Sequence, residues 1–232
     1  MENNGKSYLF VVAHPDDEVL GAGATIYKLT QSGASVNVCI LCGGAEARSY
    51  RPETYMLHED MYRSMNTLGV AKVYPGGFLD SRLNVASHLE VVQYIEQAIV
   101  DCKAQNIVTH HPNDLHSDHR LASLACQEAA RLSMRQIVDT PPLRSLSYME
   151  VLSSTDWALN SANRWFEPDA FVEVFETGVE KKIEALSQYR DVMREFPHPR
   201  CDQIIKGLAA YRGGQAGCQY AEAFETAFRR VL

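Results

Sequence analysis

The feature that most constrains the fold is the make-up of the β-prone runs. Tyr8–Ala13, Ser35–Leu41 and Asn106–His110 are largely apolar along their length instead of alternating apolar with polar, and Lys72–Pro75 and Ser145–Val151 add two further strand candidates. A strand that is apolar on both faces must be covered on both, as in a parallel sheet packed between helices. Segments of helical period separate these runs at Val19–Ser32, Pro52–Leu68, Ser87–Cys102 and Asp118–Ser133. Strand–helix alternation with right-handed crossovers predicts an α/β fold: a Rossmann-like, doubly wound, mostly parallel sheet with helices on both faces. Gly33 and Gly69 stand where glycine ends a helix, and Pro52 suits a first helical turn. Beyond residue 140 the pattern loosens. Thr140–Pro142 breaks it, Trp157–Trp165 has no firm period, and the unassigned stretch Thr140–Arg164 is a candidate for shaping a substrate mouth. Phe171–Phe175 reads as a strand, and Lys181–Tyr189, Ile204–Tyr211 and Ala221–Arg230 read as helices. No repeat or linker divides the chain, so one domain over residues 1–232 is expected.

Charge and cysteine usage narrow the function classes. A net charge of −7 argues against nucleic acid as a partner. No window approaches the roughly 18 apolar residues of a membrane span, and the opening residues lack a secretory apolar core, so a cytoplasmic protein is expected. The six cysteines lie mostly in apolar segments and read as buried free thiols. Cys39 and Cys42 have CxxC spacing but fall inside a strand run. A period of two sends residues three apart to opposite faces, so the pair reads as core packing.

Two polar clusters interrupt this apolar framework. AHPDDE (13–18) follows the first strand, and HHPNDLHSDHR (110–120) follows the fourth. His14 with Asp17, and His116 with His119, are each spaced i, i+3, which places both members on one side of a turn. In an open parallel sheet both junctions fall at the carboxyl edge of the strands, where ligands bind. Two imidazoles and a carboxylate around a divalent cation match a catalytic zinc site, and equally the two-histidine, one-carboxylate face used for ferrous iron. A divalent cation lowers the pKa of a water it binds to near 7, and a spare carboxylate can then take the proton. If Asp17 is a ligand, Asp16 is available as that base. His116, as imidazolium, can stabilise an oxyanion and protonate a leaving amine, with Asp118 holding its tautomer. Glu18 suits the helix N-terminus or a supporting place behind the site. His110 reads as the end of the fourth strand and His111 as a rim residue. His58, His88 and His198 read as surface or core residues.

AHPDDE and HPNDLHSDHR together resemble the PIG-L/LmbE family of metal-dependent N-deacetylases. GFLDSRLN (77–84) resembles the family's aspartate-containing segment after the third strand, and LAAYRGGQAGCQYAEAFE (208–225) its C-terminal stretch. The resemblance implies His14, Asp17 and His119 as metal ligands, Asp16 as base, and His116 as the histidine that polarises the carbonyl or acts as acid. It places Asp80 where relatives contact a sugar hydroxyl, and either Arg48 or Arg51 as the arginine that binds sugar or aglycone. Asp114 stands where some relatives carry a tyrosine, and with Arg48, Arg51 and Asp80 it is a candidate substrate contact. The expected reaction is zinc-dependent removal of an N-acetyl or other N-acyl group from an amino sugar such as an N-acetylglucosamine conjugate. Fe2+ or another divalent transition metal is an alternative to Zn2+. The expected partner is a small-molecule N-acyl amino sugar, and the resemblance allows a homo-oligomer. The rival readings are an amidase for a non-sugar amide, a non-haem Fe(II) enzyme on the same ligands, and a non-catalytic binding module.

Overall fold

The computed structural model describes residues 5–44, 53–135, 140–159 and 165–231. Its elements alternate as the apolar pattern requires. They are β1 (Ser7–Val12), α1 (Asp17–Gln31), β2 (Ser35–Cys42), α2 (Thr54–Leu68), β3 (Lys72–Phe78), α3 (His88–Cys102), β4 (Asn106–His110), α4 (Ser117–Ala130), β5 (Ser145–Met149), β6 (Ala170–Glu173), α5 (Phe175–Ser187), α6 (Asp202–Ala216) and β7 (Ala221–Arg229). The sheet runs β3-β2-β1-β4-β5-β7-β6. Its first five strands pair in parallel, and β7 is antiparallel to both β5 and β6.

Continuous apolar strands serve both faces at once. Phe10, Val12, Val36, Val38 and Ile40 pack with Val19, Leu57, Met61 and Leu186 of α1, α2 and α5. Leu9, Val11, Cys39 and Leu41 pack with Val91, Ile95, Ala122 and Ala125 of α3 and α4. The sheet is therefore doubly wound, and its strand order reverses between β1 and β4, where the two polar clusters emerge. No helix among the described residues is long and apolar enough to cross a membrane.

The helix expected over Ala221–Arg230 is instead strand β7, filling the gap between β5 and β6. Alanine, glutamate and Phe224/Phe228 at i, i+4 suit a helix locally, but the open sheet edges on either side provide ladder hydrogen bonds and override propensity. β3 also runs past Pro75 to Phe78, with its register against β2 shifting between Ile40 and Cys42. Gly76 makes that approach possible, because a Cβ there would stand 2.2 Å from the Leu41 carbonyl oxygen. The same irregularity puts Cys42 in the core cluster that holds Cys39, so the pair does not divide between faces as the simple period suggests. Both thiols are buried and free, and burial raises their pKa.

Helix α1 starts earlier than its apolar pattern, at Asp17, and breaks at Ala22 (φ −149°). The break exposes backbone donors in mid-helix. Glu222 of β7 accepts them, from Ala24 N at 3.2 Å and Thr25 N at 2.7 Å, as an acid caps a helix start. Lys182 donates to the same carboxylate at 2.7 Å, so the buried charge is paired. Gly33 and Gly69 take φ of 82° and 75° at the ends of α1 and α2, as expected of helix-terminating glycines.

Candidate active site

The site lies at the carboxyl ends of β1 and β4, over a cavity of about 270 Å³ lined by the histidine and aspartate clusters together with Asp80, Ser153, Ser154 and Arg200. Asp17 is its pivot. Its Oδ2 lies 3.3 Å from His14 Nδ1 and 3.2 Å from His119 Nε2, and accepts the His14 backbone N–H at 2.9 Å. Ligand atoms about 2.1 Å from a tetrahedral cation stand about 3.4 Å apart, so each of these two separations is that of a ligand pair on one ion. His116 joins the group, with ring nitrogens of His14, His116 and His119 within 4.8 Å of one another.

Each of the two histidines facing Asp17 turns its other nitrogen to a second carboxylate. For His14 it is Asp118 Oδ2 at 3.2 Å, with Asp80 Oδ1 at 3.3 Å. For His119 it is Asp114 Oδ1 at 3.1 Å. Such outer carboxylates fix the tautomer and ring orientation of a ligating histidine. Burial disfavours charge on both rings, but the carboxylates outweigh it. Asp118 and Asp17 raise the His14 pKa to about 9, and Asp17 and Asp114 raise that of His119 to about 10. Asp17 itself is held well below the usual carboxylate range by His119 and His14, against its burial. The pocket is thus built to hold positive charge between buried acids, which is the chemistry of a divalent cation site. Among the described residues, Asp17 with His110 and His119, His14 with His116 and His119, and His14 with Cys42 and Asp118 are the sets whose ligand atoms lie within 4.8 Å of one another.

Four expectations need correction. Asp118 does not orient His116 with its carboxylate. That group faces His14 and accepts the Leu83 N–H, while the backbone N–H of Asp118 donates to His116 Nδ1 at 3.2 Å. With Nδ1 accepting, the neutral ring carries its proton on Nε2. Burial, followed by the nearby His14 and His119 charges, lowers the His116 pKa, so the ring is neutral at pH 7 instead of imidazolium. Asp114, expected as a substrate contact, is 1% exposed and does not line this cavity. It accepts from the Ser154 hydroxyl, from Thr155 Oγ1 at 2.7 Å and from His116 N at 2.8 Å, all behind His119. His111 is not a rim residue but is buried beside Glu225.

Of the other expected residues, Asp16 and Asp80 line the cavity, whereas Arg48 and Arg51 lie outside the described residues. Glu18 is fully buried. It accepts the Asp16 N–H and, at 2.6 Å, the Tyr189 hydroxyl, and burial pushes its pKa up to about 8. Sequence reasoning passed over His110 as the end of a strand. It accepts the Ala13 N–H at 2.8 Å, stacks on His119 at 3.9 Å, and joins Asp17 and His119 in a group whose ligand atoms lie within 4.8 Å of one another. Ser154 and Arg200 were missed as well. They come from the aperiodic stretch after β5 and the corner before α6, where no motif marks them.

The chain matches the family described as PIG-L: GlcNAc-PI de-N-acetylase over residues 9–130, which reach from β1 through α4. It is 26% identical over 235 residues to the diacetylchitobiose deacetylase of Thermococcus kodakarensis, covering 95% of this chain and 82% of that protein. The N,N′-diacetylchitobiose deacetylase of Pyrococcus horikoshii superposes with a TM-score of 0.76 at 19% identity, over 95% of this chain and 83% of the other. GalB, the 4-carboxy-2-hydroxymuconate hydratase of Pseudomonas putida, superposes at 0.78 with 20% identity, over 98% of each chain. The first motif, the second motif and the sheet that joins them are those of one family of enzymes: this chain belongs to the PIG-L family of metal-dependent N-deacetylases, hydrolases of the amide C–N bond.

Proposed function

We propose that the protein removes the N-acetyl group of an amino sugar of the N-acetylglucosamine type, with zinc held by His14, Asp17 and His119. The observation that carries this reading is the convergence of His14 and His119 on one Asp17 oxygen, each backed by its own carboxylate, beside the spare acid Asp16. When bound, the cation supplies Lewis acidity that makes water acidic and polarises a carbonyl. The remaining work belongs to the chain. Asp16, on the cavity wall, takes a proton from the attacking water. His116 donates its Nε2–H to the amide oxygen as negative charge grows there, which a neutral imidazole does without itself ionising. The C–N bond breaks as Asp16 returns its proton to nitrogen, so that amide and water become amine and acetic acid. Asp80, 6% exposed and beside His14, is placed to accept from a sugar hydroxyl.

The same fold serves a hydratase, so shape alone does not choose the reaction. Acetate release from N-acetylglucosamine and N,N′-diacetylchitobiose, with elemental analysis of the same sample, tests the proposal. Release that depends on a bound divalent metal is expected. The Asp16→Ala variant should keep its metal and lose about 10²–10⁴-fold in kcat, whereas His119→Ala should lose metal. Failure of metal-loaded protein to release acetate from either compound would refute the reading.

A further inference from the structure

We propose that Arg200 is a positioning residue for this reaction, its guanidinium holding the Asp16 carboxylate where it meets the attacking water. The inference rests on Asp16 being the base. Arg200 Nη1 lies 3.3 Å from Asp16 Oδ2, in a pair whose side chains are 29% and 5% exposed. A charged contact at a half-closed cavity wall is less screened than one on the open surface.

The way Asp16 is held gives this contact its meaning. Its backbone has φ 106°, a conformation that costs an aspartate energy and persists only where the surroundings impose it. Glu18, anchored by Tyr189, takes its N–H from inside the protein. The carboxylate projects into a cavity that also holds Asp17 and Asp80, so like-charge repulsion tends to swing it outward. A guanidinium presents planar donors in a rigid fork, and so fixes the direction of a carboxylate as well as its charge.

The backbone from which Arg200 projects is held at both its polar atoms. Its carbonyl accepts from Arg194 N at 3.2 Å, its N–H donates to His198 Nδ1 at 3.0 Å, and the next residue, Cys201, is buried at the start of α6.

The test compares Arg200→Ala, Arg200→Lys, Asp16→Ala and the double variant Asp16→Ala/Arg200→Ala. The readouts are acetate release from N,N′-diacetylchitobiose, metal content, and a crystal structure of Arg200→Ala. Loss of orientation predicts a fall in kcat of about 10–100-fold in Arg200→Ala, with KM and metal content near wild type and partial recovery in Arg200→Lys. The double variant should be no slower than Asp16→Ala alone, because the arginine acts through the aspartate. The crystal structure should show the Asp16 carboxylate turned away from its wild-type position. Unchanged kcat, a raised KM at unchanged kcat (the sign of an arginine that binds an anionic substrate group), or additive losses in the double variant each overturn the inference. Asp16→Ala at the wild-type rate instead removes Asp16 as base and leaves the proposed reaction standing. If Arg200→Ala does not fold, Arg200→Lys alone and combined with Asp16→Ala carries the same kinetic comparison. If wild-type protein releases no acetate, the position of Asp16 in the Arg200→Lys structure decides: a displaced carboxylate supports the positioning role and an unmoved one refutes it.

Discussion

His14 and His119 each reach Asp17 with one ring nitrogen and a second carboxylate with the other, so in the proposed metal site affinity would depend on residues that never touch the ion. Asp114 is the sharper case, because its carboxylate also accepts from Ser154 and Thr155 and is closed off from solvent. Asp114→Asn keeps the shape but removes the charge that holds the outer proton of His119. It should weaken metal binding about 10–100-fold, measured by competition with a chromophoric chelator. Affinity equal to wild type would mean that Asp114 serves only the turn after β5. Nothing in HPNDLHSDHR separates Asp114 from Asp118. Two acids four apart look alike in sequence, and only the path of the chain decides which one lies behind which histidine. His110 was hidden for a similar reason, since a histidine closing an apolar strand looks the same whether or not another ring stacks on it.

At the scale of elements, apolar periodicity was enough for the strands that carry the site and for the four helices between them. These segments bury nearly all of their inward side chains, so burial and pattern agree. β7 was illegible because its pairing partners lie more than 40 residues away, and its own composition favours a helix. β3 was cut short because Pro75-Gly76-Gly77 reads as a stop, whereas in the sheet the glycines let two backbones meet. That contact is testable. Gly76→Ala forces a Cβ against the Leu41 and Ile40 carbonyls and should cost about 1–3 kcal/mol in chemical denaturation. Gly77→Ala, where a Cβ meets nothing within 4 Å, should cost much less and serves as the control. Equal losses would show that backbone freedom, and not the close approach, is what position 76 supplies.

Across the whole molecule the buried charges tie stability to pH and to metal. In the metal-free protein the pKa values of His14 and His119, about 9 and about 10, stand above the ordinary 6.5. Their contribution to stability is therefore complete below pH 6.5 and is lost as pH rises through 9 to 10. Metal-free protein should show a Tm that declines across this window, while protein saturated with a divalent cation, whose histidines are already neutral ligands, declines much less. A flat metal-free profile would show that the two imidazolium charges are not what balances the buried acids. The family match ends at residue 130, yet Ser154 supports Asp114, Arg200 meets Asp16, and Glu222 caps the broken helix α1 that begins with Asp17. This last link sets an order of events during synthesis. The helix that begins with Asp17 is made well before β7, 198 residues separating Ala24 from Glu222, so its mid-course break stays unsealed until β7 leaves the ribosome. A nascent chain stalled before Glu222 would carry His14, Asp17 and His119 and still lack the cap on the broken helix that begins with Asp17.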